Sequence, residues 1–310
     1  MLNRGKMPGK KILVISKKST LELAEEHNNQ HILDLVKRND ASVAKLKKAE
    51  SEHRATLKYL KNQLEKRMVQ SCSNIEQVTF KNRSDQIKDI ENYDLILSVG
   101  GDGTFLWVSK FVPWNIPILG INSDPSSSVG FFTCTDRLGI PRLLHDIDKN
   151  AHMPEKIISR LSLKVNGQII ADRILNDVLF AAQHPAAMTN YILSVPTQNG
   201  VIEEEQKSSG IWISTAAGST GAILSAGGWI LGLEDSRSQF VVREPMKNFV
   251  WGTEHHFIHG LFSRQQSLKI VNKTRKAILA IDGTTNSIEI TVGDVIEITN
   301  SKDKLIILGK

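Results

Sequence analysis

The first 140 residues alternate between short apolar segments and longer amphipathic stretches. Short apolar segments bounded by polar or turn residues are typical of buried strands in a parallel sheet. Four such segments are Lys11–Ser16, Ile75–Phe80, Leu95–Val99 and Pro117–Ile121. Because strands alternate with helical stretches, the pattern predicts an α/β domain with an open, Rossmann-like sheet over residues 1–150.

The segment of residues 19–70 contains neither proline nor glycine. The residues of its apolar side recur every three or four positions, at Leu46, Ala49, His53, Leu57, Leu60, Leu64 and Met68. This spacing predicts one or two amphipathic helices, with a break near Arg38–Ser42. The heptad pattern is short and irregular, which favours packing against the sheet over a coiled-coil arm.

The pattern changes after Ser159, where short alternating segments are separated by turn residues. Predicted strands are Ser162–Val165, Ile169–Ala171, Ile174–Ala181, Tyr191–Val195, Ile211–Ser214, Leu268–Val271, Ala277–Ile281, Ser287–Ile290 and Val295–Thr299. Asn166-Gly167 predicts a tight hairpin between the first two of them. We therefore expect a largely β domain of the β-sandwich type over residues 151–310. The last apolar segment, Leu305–Leu308, is a further strand that can return to either domain.

Composition narrows the classes of partner. The chain has 310 residues, a net charge of +6 and 23% charged residues, with basic and acidic residues mixed throughout. No zinc-finger, basic-zipper or RNA-binding aromatic signature is present, so the charge favours anionic small molecules over nucleic acid. No window approaches the roughly 20 apolar residues of a membrane helix, so no membrane partner is expected.

The two cysteines, Cys72 and Cys134, are too few for a disulfide framework. A reducing compartment is the default for such a chain, and the prediction is the cytoplasm. The basic start, Met1–Lys11, lacks the apolar core of a secretory signal, but it leaves a mitochondrial address open.

The strongest chemical signal is the run Gly100-Gly101-Asp102-Gly103-Thr104, which follows the strand Leu95–Val99. Clustered glycines let a backbone turn sharply and bring its N–H groups close to phosphate oxygens. A carboxylate among phosphates suits a metal ion or a proton acceptor. The run indicates phosphoryl transfer to a hydroxyl, although a Gly-Asp-Gly turn without chemistry is the plain alternative.

A second unusual segment, Ser208–Gly228, is rich in small and hydroxyl-bearing residues. The predicted strand Ile211–Ser214 leads here into small residues that open a helix. Such a surface lets a flat ligand lie against the backbone and offers several short hydrogen-bond donors. A close-packed junction of strand and helix is the structural alternative.

Taken together, four motifs resemble those of the NAD kinase family, which uses ATP and a divalent metal to phosphorylate the 2′-hydroxyl of the adenosine ribose of NAD. They are Gly100–Thr104, Gly130–Thr133, Leu175–Val178 and the segment from Ser214 to Gly228. Within the family, Gly120–Pro125, Gln206–Gly210 and Gln239–Pro245 are similar to segments of the plant NADH kinases and animal mitochondrial NAD kinases.

The resemblance implies a two-domain fold, ATP as the phosphoryl donor and Mg²⁺ or another divalent metal as cofactor. It also implies NAD or NADH as substrate and a homo-oligomer, a dimer or a tetramer. The first motif is shared with diacylglycerol-type lipid kinases, so a lipid kinase is one alternative function. A module that binds NADP(H) without turnover is the other.

The resemblance also implies roles for individual residues. Asp102 is the predicted general base, with orientation of a metal as its alternative role. The predicted contacts to the ATP phosphates are Gly100, Gly101, Gly103 and Thr104. Those to the dinucleotide are Phe131 (at the adenine), Asn176, Asp177, Thr220, Gly221, Ser225 and Asp282. Asp282 has a β-turn aspartate as its structural alternative, and no side chain is assigned as a metal ligand. His255 and His259 have helical spacing, but they lack the glutamate of a His-Glu-x-x-His zinc motif.

Five positions depart from the family pattern. Asp177 stands where most members have glutamate, and Ser209 where they have aspartate. Ala216, Ala217 and Ala222 stand in place of the usual proline, threonine or serine, and tyrosine. The change at position 209 removes an acidic contact to the dinucleotide, and the change at position 222 removes an aromatic wall. We expect these changes to affect substrate preference and affinity more than the reaction.

Overall fold

The computed structural model describes residues 9–70, 73–246, 255–283 and 287–310. The chain divides into two compact units. One runs to Glu155 and also contains Ile306–Lys310, and the other is Lys156–Leu305. Cys72 lies outside the described residues. Within the described ranges, no helix has the length and apolar character needed to cross a membrane.

The first unit alternates strands and helices. Its elements are β1 (Lys10–Ser16), α1 (Thr20–Glu26), α2 (Gln30–Lys37), α3 (Ala44–Met68), β2 (Ile75–Asn82), β3 (Leu95–Gly100), α4 (Asp102–Ser109), β4 (Ile118–Asn122), β5 (Thr135–Asp136) and α5 (Ile140–Asp148). Short 3₁₀ turns cover Ala41–Val43 and Ile90–Asn92. The break predicted at Arg38–Ser42 is confirmed. A further interruption after Glu26 makes the segment three helices rather than two.

The helix α1 shows how sequence sets these boundaries. The hydroxyl of Ser19 accepts a hydrogen bond from the backbone N–H of Glu22 at 3.0 Å. The Glu22 carboxylate in turn accepts from the N–H of Ser19 at 2.7 Å. This reciprocal capping box satisfies two N–H groups that the first helical turn leaves without partners.

The rest of the chain is mostly strands. They are β6 (Glu155–Ile158), β7 (Leu161–Val165), β8 (Gln168–Ile174), β9 (Asp177–Ala182), β10 (Thr189–Thr197), β11 (Gly200–Ser208), β12 (Ile211–Ser214), β13 (Ser238–Val242), β14 (His259–Phe262), β15 (Ser267–Asn272), β16 (Ala277–Ile281), β17 (Ser287–Ile290), β18 (Val295–Asn300) and β19 (Leu305–Leu308). A 3₁₀ turn (Ala217–Thr220) and the one-turn helix α6 (Ala222–Ser225) follow β12.

The first sheet has the strand order β2-β1-β3-β4-β19-β6, with β5 paired to β4. The strands β1, β2, β3, β4 and β19 run parallel. One face is covered by apolar side chains of α3 and α5, including Leu60, Leu64 and Leu144. In such a sheet the loops after the strands lie at one edge, which is where ligands bind in open α/β folds. The Gly100–Thr104 loop follows β3 at this edge.

Two six-stranded sheets form the second unit. Their strand orders are β11-β10-β15-β18-β7-β8 and β14-β13-β12-β9-β16-β17, and all pairings are antiparallel. A single apolar core contains residues of both sheets, among them Tyr191 and Ile270 from one and Phe180 and Phe240 from the other. Two sheets that share one core are a β-sandwich. The hairpin predicted at Asn166-Gly167 is confirmed, with φ angles of 51° and 80°.

One predicted strand is wrong in a way that bears on the site. The segment Ile174–Ala181 is not continuous, because β8 ends at Ile174 and β9 begins at Asp177. Leu175 and Asn176 lie between the two strands. Their N–H groups are bound by the side chain of Asp282 instead of by a strand neighbour. The strands β5, β6, β11, β13 and β14 were not predicted.

Candidate active site

The glycine loop is built by the transition from β3 to α4. Gly101 has extended backbone angles (φ −105°, ψ −168°) and caps α4, whose first residue is Asp102. A Cβ atom at Gly100 would lie 2.7 Å from the Cβ of Thr104, so this position requires glycine. At Gly103, in contrast, no atom lies within 4 Å of a Cβ position, and the residue is exposed. The first turn of α4 is therefore open to a ligand at Gly103.

Two backbone amides orient the carboxylate of Asp102. Its Oδ2 accepts from the N–H of Phe131 at 3.0 Å, and its Oδ1 accepts from the N–H of Phe132 at 2.8 Å. The ring of Phe132 stacks on that of Phe105 in α4, with centroids 5.1 Å apart and an angle of 6° between the planes. The carboxylate is thus held by a segment that itself packs against the helix of Asp102.

Other groups lie close to this loop. The ring of Phe131 meets that of Phe132 edge-on at 5.0 Å. The ammonium group of Lys310 lies 5.8 Å from the centroid of the Phe131 ring, within the range of a cation–π contact. A Cβ at Gly101 would lie 2.6 Å from the Oγ of Ser128, so glycine here allows the loop after β4 to approach. The backbone N–H of Thr104 returns to the carbonyl of Gly101 at 3.0 Å, and the Thr104 side chain is buried.

The second unit contains a cluster of polar groups around Asp282. This residue has a positive φ of 50°, and its carboxylate accepts from three backbone N–H groups. Oδ1 binds Asn176 at 2.7 Å and Asp177 at 3.2 Å, and Oδ2 binds Leu175 at 3.4 Å. N–H donors of this kind stabilise negative charge on a carboxylate, and they fix the Asp282 side chain where the chain crosses from β8 to β9.

Asp177 is in a different electrostatic environment. Its side chain is buried, and the Asn176 amide donates to its Oδ2 at 2.8 Å. Burial, together with the negative charge of Asp282, raises the pKa of Asp177 to about 7, and the Asn176 bond opposes this rise. A buried carboxyl group whose pKa is raised by burial and by a specific neighbouring charge is typical of functional sites. Near neutral pH, Asp177 can both donate and accept hydrogen bonds.

The small residues after β12 approach this cluster closely. A Cβ at Gly218 would lie 2.6 Å from the carbonyl carbon of Asn176. A Cβ at Gly221 would lie 3.3 Å from the Asn176 amide nitrogen and 3.7 Å from the Asp177 carboxylate. Thr220 and Ser225, on either side of Gly221, are exposed. These contacts explain why the segment is rich in glycine.

The predicted site residues therefore form two groups, one in each unit. Gly100, Gly101, Asp102, Gly103, Thr104 and Phe131 lie around the β3–α4 loop. Asn176, Asp177, Thr220, Gly221, Ser225 and Asp282 lie around the β8–β9 crossing and the segment after β12. The sequence did not predict the part of Phe132, because its contribution is a backbone N–H. It also did not predict the pocket that Trp212, Arg243 and Glu244 help to line.

The donor set around Asp102 is compatible with a divalent metal. Each carboxylate oxygen accepts one N–H group and retains a lone pair, so the carboxylate can still bind a metal ion or a metal-bound water. No group of three or more potential ligands among His, Cys, Asp and Glu occurs in the described ranges. Mg²⁺ usually binds to one or two carboxylates and to substrate phosphates. The residues present fit a metal that is carried largely by a nucleotide.

Comparison with known proteins identifies the family. A family model described as the ATP-NAD kinase N-terminal domain matches residues 17–148. A probable NADH kinase of rice is 28% identical over 265 residues, covering 80% of this chain and 78% of the relative. The NADH kinase of Arabidopsis thaliana is 31% identical over 236 residues, covering 70% and 73%. The chain belongs to the NAD kinase family.

Solved structures of NAD kinases support the same fold. An NAD kinase from Archaeoglobus fulgidus, crystallised in complex with ATP, matches 96% of this chain and 92% of that chain, with a TM-score of 0.59 and 20% identity. Yeast NADH kinase, crystallised with NADH, matches 98% and 84%, with a TM-score of 0.65 and 16% identity. The predicted family and the predicted fold, an α/β domain followed by a β-rich domain, are both confirmed.

Proposed function

We propose that this protein transfers the terminal phosphoryl group of ATP to the 2′-hydroxyl of the adenosine ribose of NAD or NADH, giving NADP or NADPH. The observation that carries the proposal is Asp102, a carboxylate fixed by two amides at the start of α4, directly after a glycine loop. Membership of the NAD kinase family confirms the predicted enzyme class, a kinase acting on NAD(H). It favours a dinucleotide substrate over a lipid.

Asp102 acts as the general base in this proposal. A loose phosphoryl-transfer transition state needs a positioned nucleophile and neutralised charge more than covalent help from the protein. The amides of Phe131 and Phe132 fix the direction of the carboxylate. Each Asp102 oxygen keeps a lone pair with which it can accept the proton of the ribose hydroxyl.

The loop from Gly100 to Thr104 binds the ATP phosphates. The first N–H groups of a helix have no intrahelical partner, and the open face at Gly103 lets phosphate oxygens approach α4. The N–H of Thr104 already binds the carbonyl of Gly101, so Thr104 serves through its packing under Gly100. Mg²⁺ neutralises the triphosphate when it is bound, and Asp102 is the side chain of this loop that suits it.

The dinucleotide is bound by the cluster in the second unit. A ribose diol offers paired donors and acceptors, which match the amide of Asn176 and the carboxyl group of Asp177. Asp282 positions both residues through their backbone N–H groups. Thr220, Gly221 and Ser225 extend this surface along the dinucleotide, and Phe131 packs against the adenine.

Four further assignments belong to the proposal. Residues 1–150 form the ATP-binding domain and residues 151–310 the dinucleotide-binding domain, with the last strand returning to the first. Mg²⁺ is the metal, the protein is a homo-oligomer, and its compartment is the cytoplasm. The low cysteine content and the family resemblance support these assignments.

The proposal is tested by incubating the purified protein with ATP, Mg²⁺ and either NAD or NADH. A dehydrogenase specific for NADP(H) then detects the product. We expect NADP or NADPH to form with at least one of the two dinucleotides, and ADP to form in equal amount. If no product forms with either dinucleotide, the protein is not an NAD(H) kinase. Replacing the dinucleotide by diacylglycerol tests the lipid alternative.

A further inference from the structure

A pocket in the second unit lies beside the segment of small residues and contains groups that the site above does not use. Its volume is about 390 Å³, within the range of small-molecule sites. It is lined by Trp212 of β12, by Ala222, Ser225 and Ala226 in and after α6, and by Arg243 and Glu244 after β13.

The charged groups of this pocket are fixed by the backbone. The N–H of Arg243 donates to the carbonyl of Gly210 at 2.8 Å, and the N–H of Ser209 donates to the carbonyl of Arg243 at 2.9 Å. The Arg243 guanidinium donates to the carbonyl of Ser209 at 3.3 Å, which occupies one of its several donors. The remaining donors suit phosphate oxygens, which arginine binds in a fork geometry.

Glu244 provides a carboxylate at the same place. Its backbone has a φ of 45°, in the left-handed region that glutamate rarely adopts. Its carboxylate accepts a hydrogen bond from the hydroxyl of Ser209. Strained backbone at the wall of a pocket is a recurrent feature of ligand sites. A carboxylate so placed can accept hydrogen bonds from the hydroxyls of a sugar.

Trp212 adds an aromatic surface to the charged groups of the pocket. An indole, a guanidinium and a carboxylate match the three parts of a nucleotide: a planar base, a phosphate and a sugar diol. Gly221, one residue before the pocket wall at Ala222, lies next to Asn176 and Asp177. The pocket is therefore continuous with the surface assigned to the adenosine half of the dinucleotide.

We propose that Trp212, Arg243 and Glu244 bind the nicotinamide mononucleotide half of the substrate, with Trp212 against the nicotinamide ring, Arg243 at the phosphate and Glu244 at the ribose. This inference rests on the proposed function. It also accounts for two departures from the family pattern. The carboxylate absent at Ser209 is supplied by Glu244, its hydrogen-bond partner, and the aromatic ring absent at Ala222 is supplied by Trp212 across the same pocket.

The test compares the binding of NAD with that of adenosine 5′-monophosphate, which lacks the nicotinamide half. Calorimetric titrations use the full chain, with Mg²⁺ and a non-hydrolysable ATP analogue filling the ATP site. Trp212→Ala and Arg243→Ala should each weaken NAD binding about 10-fold, the scale of a lost stacking or charged contact. Binding of the monophosphate should change less than about 2-fold. Trp212→Phe keeps an aromatic ring and should retain most of the affinity.

Arg237→Ala is the matched control, because Arg237 belongs to the same unit but pairs with Asp235. It should leave both affinities unchanged. If Trp212→Ala and Arg243→Ala leave NAD binding unchanged, or weaken the monophosphate equally, the inference is wrong. These results are binding measurements that do not depend on turnover. They can therefore be distinguished from a failure of the wild-type protein to form NADP, which would contradict the proposed function instead.

The role of the Glu244 carboxylate is tested separately by removing it and then placing a carboxylate at position 209. Glu244→Gln should weaken NAD binding without changing binding of the monophosphate. Adding Ser209→Asp to this variant returns a carboxylate to the same place and should restore most of the NAD affinity. If the double variant binds no better than Glu244→Gln, the carboxylate of Glu244 does not contact the dinucleotide.

Discussion

Asp177 and Asp282 are joined by two hydrogen bonds. The N–H of Asp282 donates to the carbonyl of Asp177 at 2.9 Å, and the N–H of Asp177 donates to the Asp282 carboxylate at 3.2 Å. The two buried carboxyl groups therefore lie in one cluster but differ in support. Three N–H groups stabilise the charge on Asp282, whereas Asp177 receives one amide bond from Asn176. Burial and the negative charge of Asp282 raise the pKa of Asp177 to about 7, and the single bond from Asn176 opposes the rise without cancelling it.

Dinucleotide binding should consequently depend on pH. The pKa of Asp177 is about 7, so its carboxyl group is mostly protonated at pH 6 and mostly ionised at pH 8. The ionised form accepts stronger hydrogen bonds from the ribose hydroxyls. We expect NAD affinity, measured without ATP, to rise about 10-fold from pH 6 to pH 8. Asp177→Asn should bind with no such dependence, and a flat profile in the wild-type protein would remove Asp177 from the binding surface.

The same residue should reduce the stability of the ligand-free protein. The pKa of Asp177 is raised from 3.8 to about 7 in the folded protein, so the protonated carboxyl group favours the folded state. This contribution to stability is fully present below pH 4 and is lost as the pH rises through 7. At pH 8, Asp177→Asn should increase the free energy of unfolding by about 1–3 kcal/mol, a discounted value for the pKa shift. At pH 4.5 the gain should be much smaller. Urea denaturation at both pH values measures the free energy of unfolding. If the stability gain of Asp177→Asn is no larger at pH 8 than at pH 4.5, the prediction is wrong.

Gly103→Ala should separate stability from ATP binding. No atom lies within 4 Å of a Cβ at this position, and alanine favours helix over glycine by up to about 1 kcal/mol. The variant should unfold at the same temperature or slightly higher, while the added methyl group obstructs the phosphates and raises the KM for ATP at least about 10-fold. Gly232→Ala, which also has open space and lies in the other unit, is the control. An unchanged ATP KM for Gly103→Ala would show that phosphates do not approach this face.

Much of the fold follows from local patterns. The strands Ile211–Ser214, Ala277–Ile281, Ser287–Ile290 and Leu305–Leu308 have the predicted bounds, because each is a short apolar or alternating run between turn residues. β11 was not predicted because it is an edge strand whose outward face carries Glu203 and Glu205. Strands of this kind are recognised by their neighbours in the sheet rather than by hydrophobicity.

The sequence predicted those parts of the site whose functional side chains lie close together along the chain. The glycine spacing identified the loop at Asp102, but not the amides of Phe131 and Phe132 that orient its carboxylate, since any residue supplies an N–H group. The coupling of Asp282 to Asn176 joins residues 106 positions apart and depends on a positive φ at Asp282. No local pattern encodes such a contact.

Asp102→Asn should reduce kcat at least about 10²-fold, the scale of a lost general base. In this variant an NH₂ group replaces one of the two oxygen atoms that accept from the N–H groups of Phe131 and Phe132. The free energy of unfolding should therefore fall by about 1 kcal/mol, while the NAD affinity stays unchanged. Asp136→Asn is a matched control, because Asp136 also accepts backbone N–H groups, from Leu138 and Gly139. It should keep wild-type turnover. Near-normal kcat in Asp102→Asn would exclude Asp102 as the base.

Turnover should require a divalent metal. The negative charge of the triphosphate must be neutralised, and Asp102 is the side chain of the loop that suits a metal. With EDTA, the rate should fall at least about 10²-fold and return when Mg²⁺ is added. The unfolding temperature of the nucleotide-free protein should not change with EDTA, since the metal is expected to arrive with the nucleotide. Full activity in EDTA would contradict the proposed role of Mg²⁺.

The most direct test is a crystal structure of the protein with NAD, Mg²⁺ and a non-hydrolysable ATP analogue. We expect a carboxylate oxygen of Asp102 at hydrogen-bond distance, about 2.6–3.2 Å, from the 2′-oxygen of the adenosine ribose. The terminal phosphate of the analogue should face the same oxygen. A ribose that presents its 3′-oxygen instead, or a 2′-oxygen out of reach of Asp102, would contradict the account.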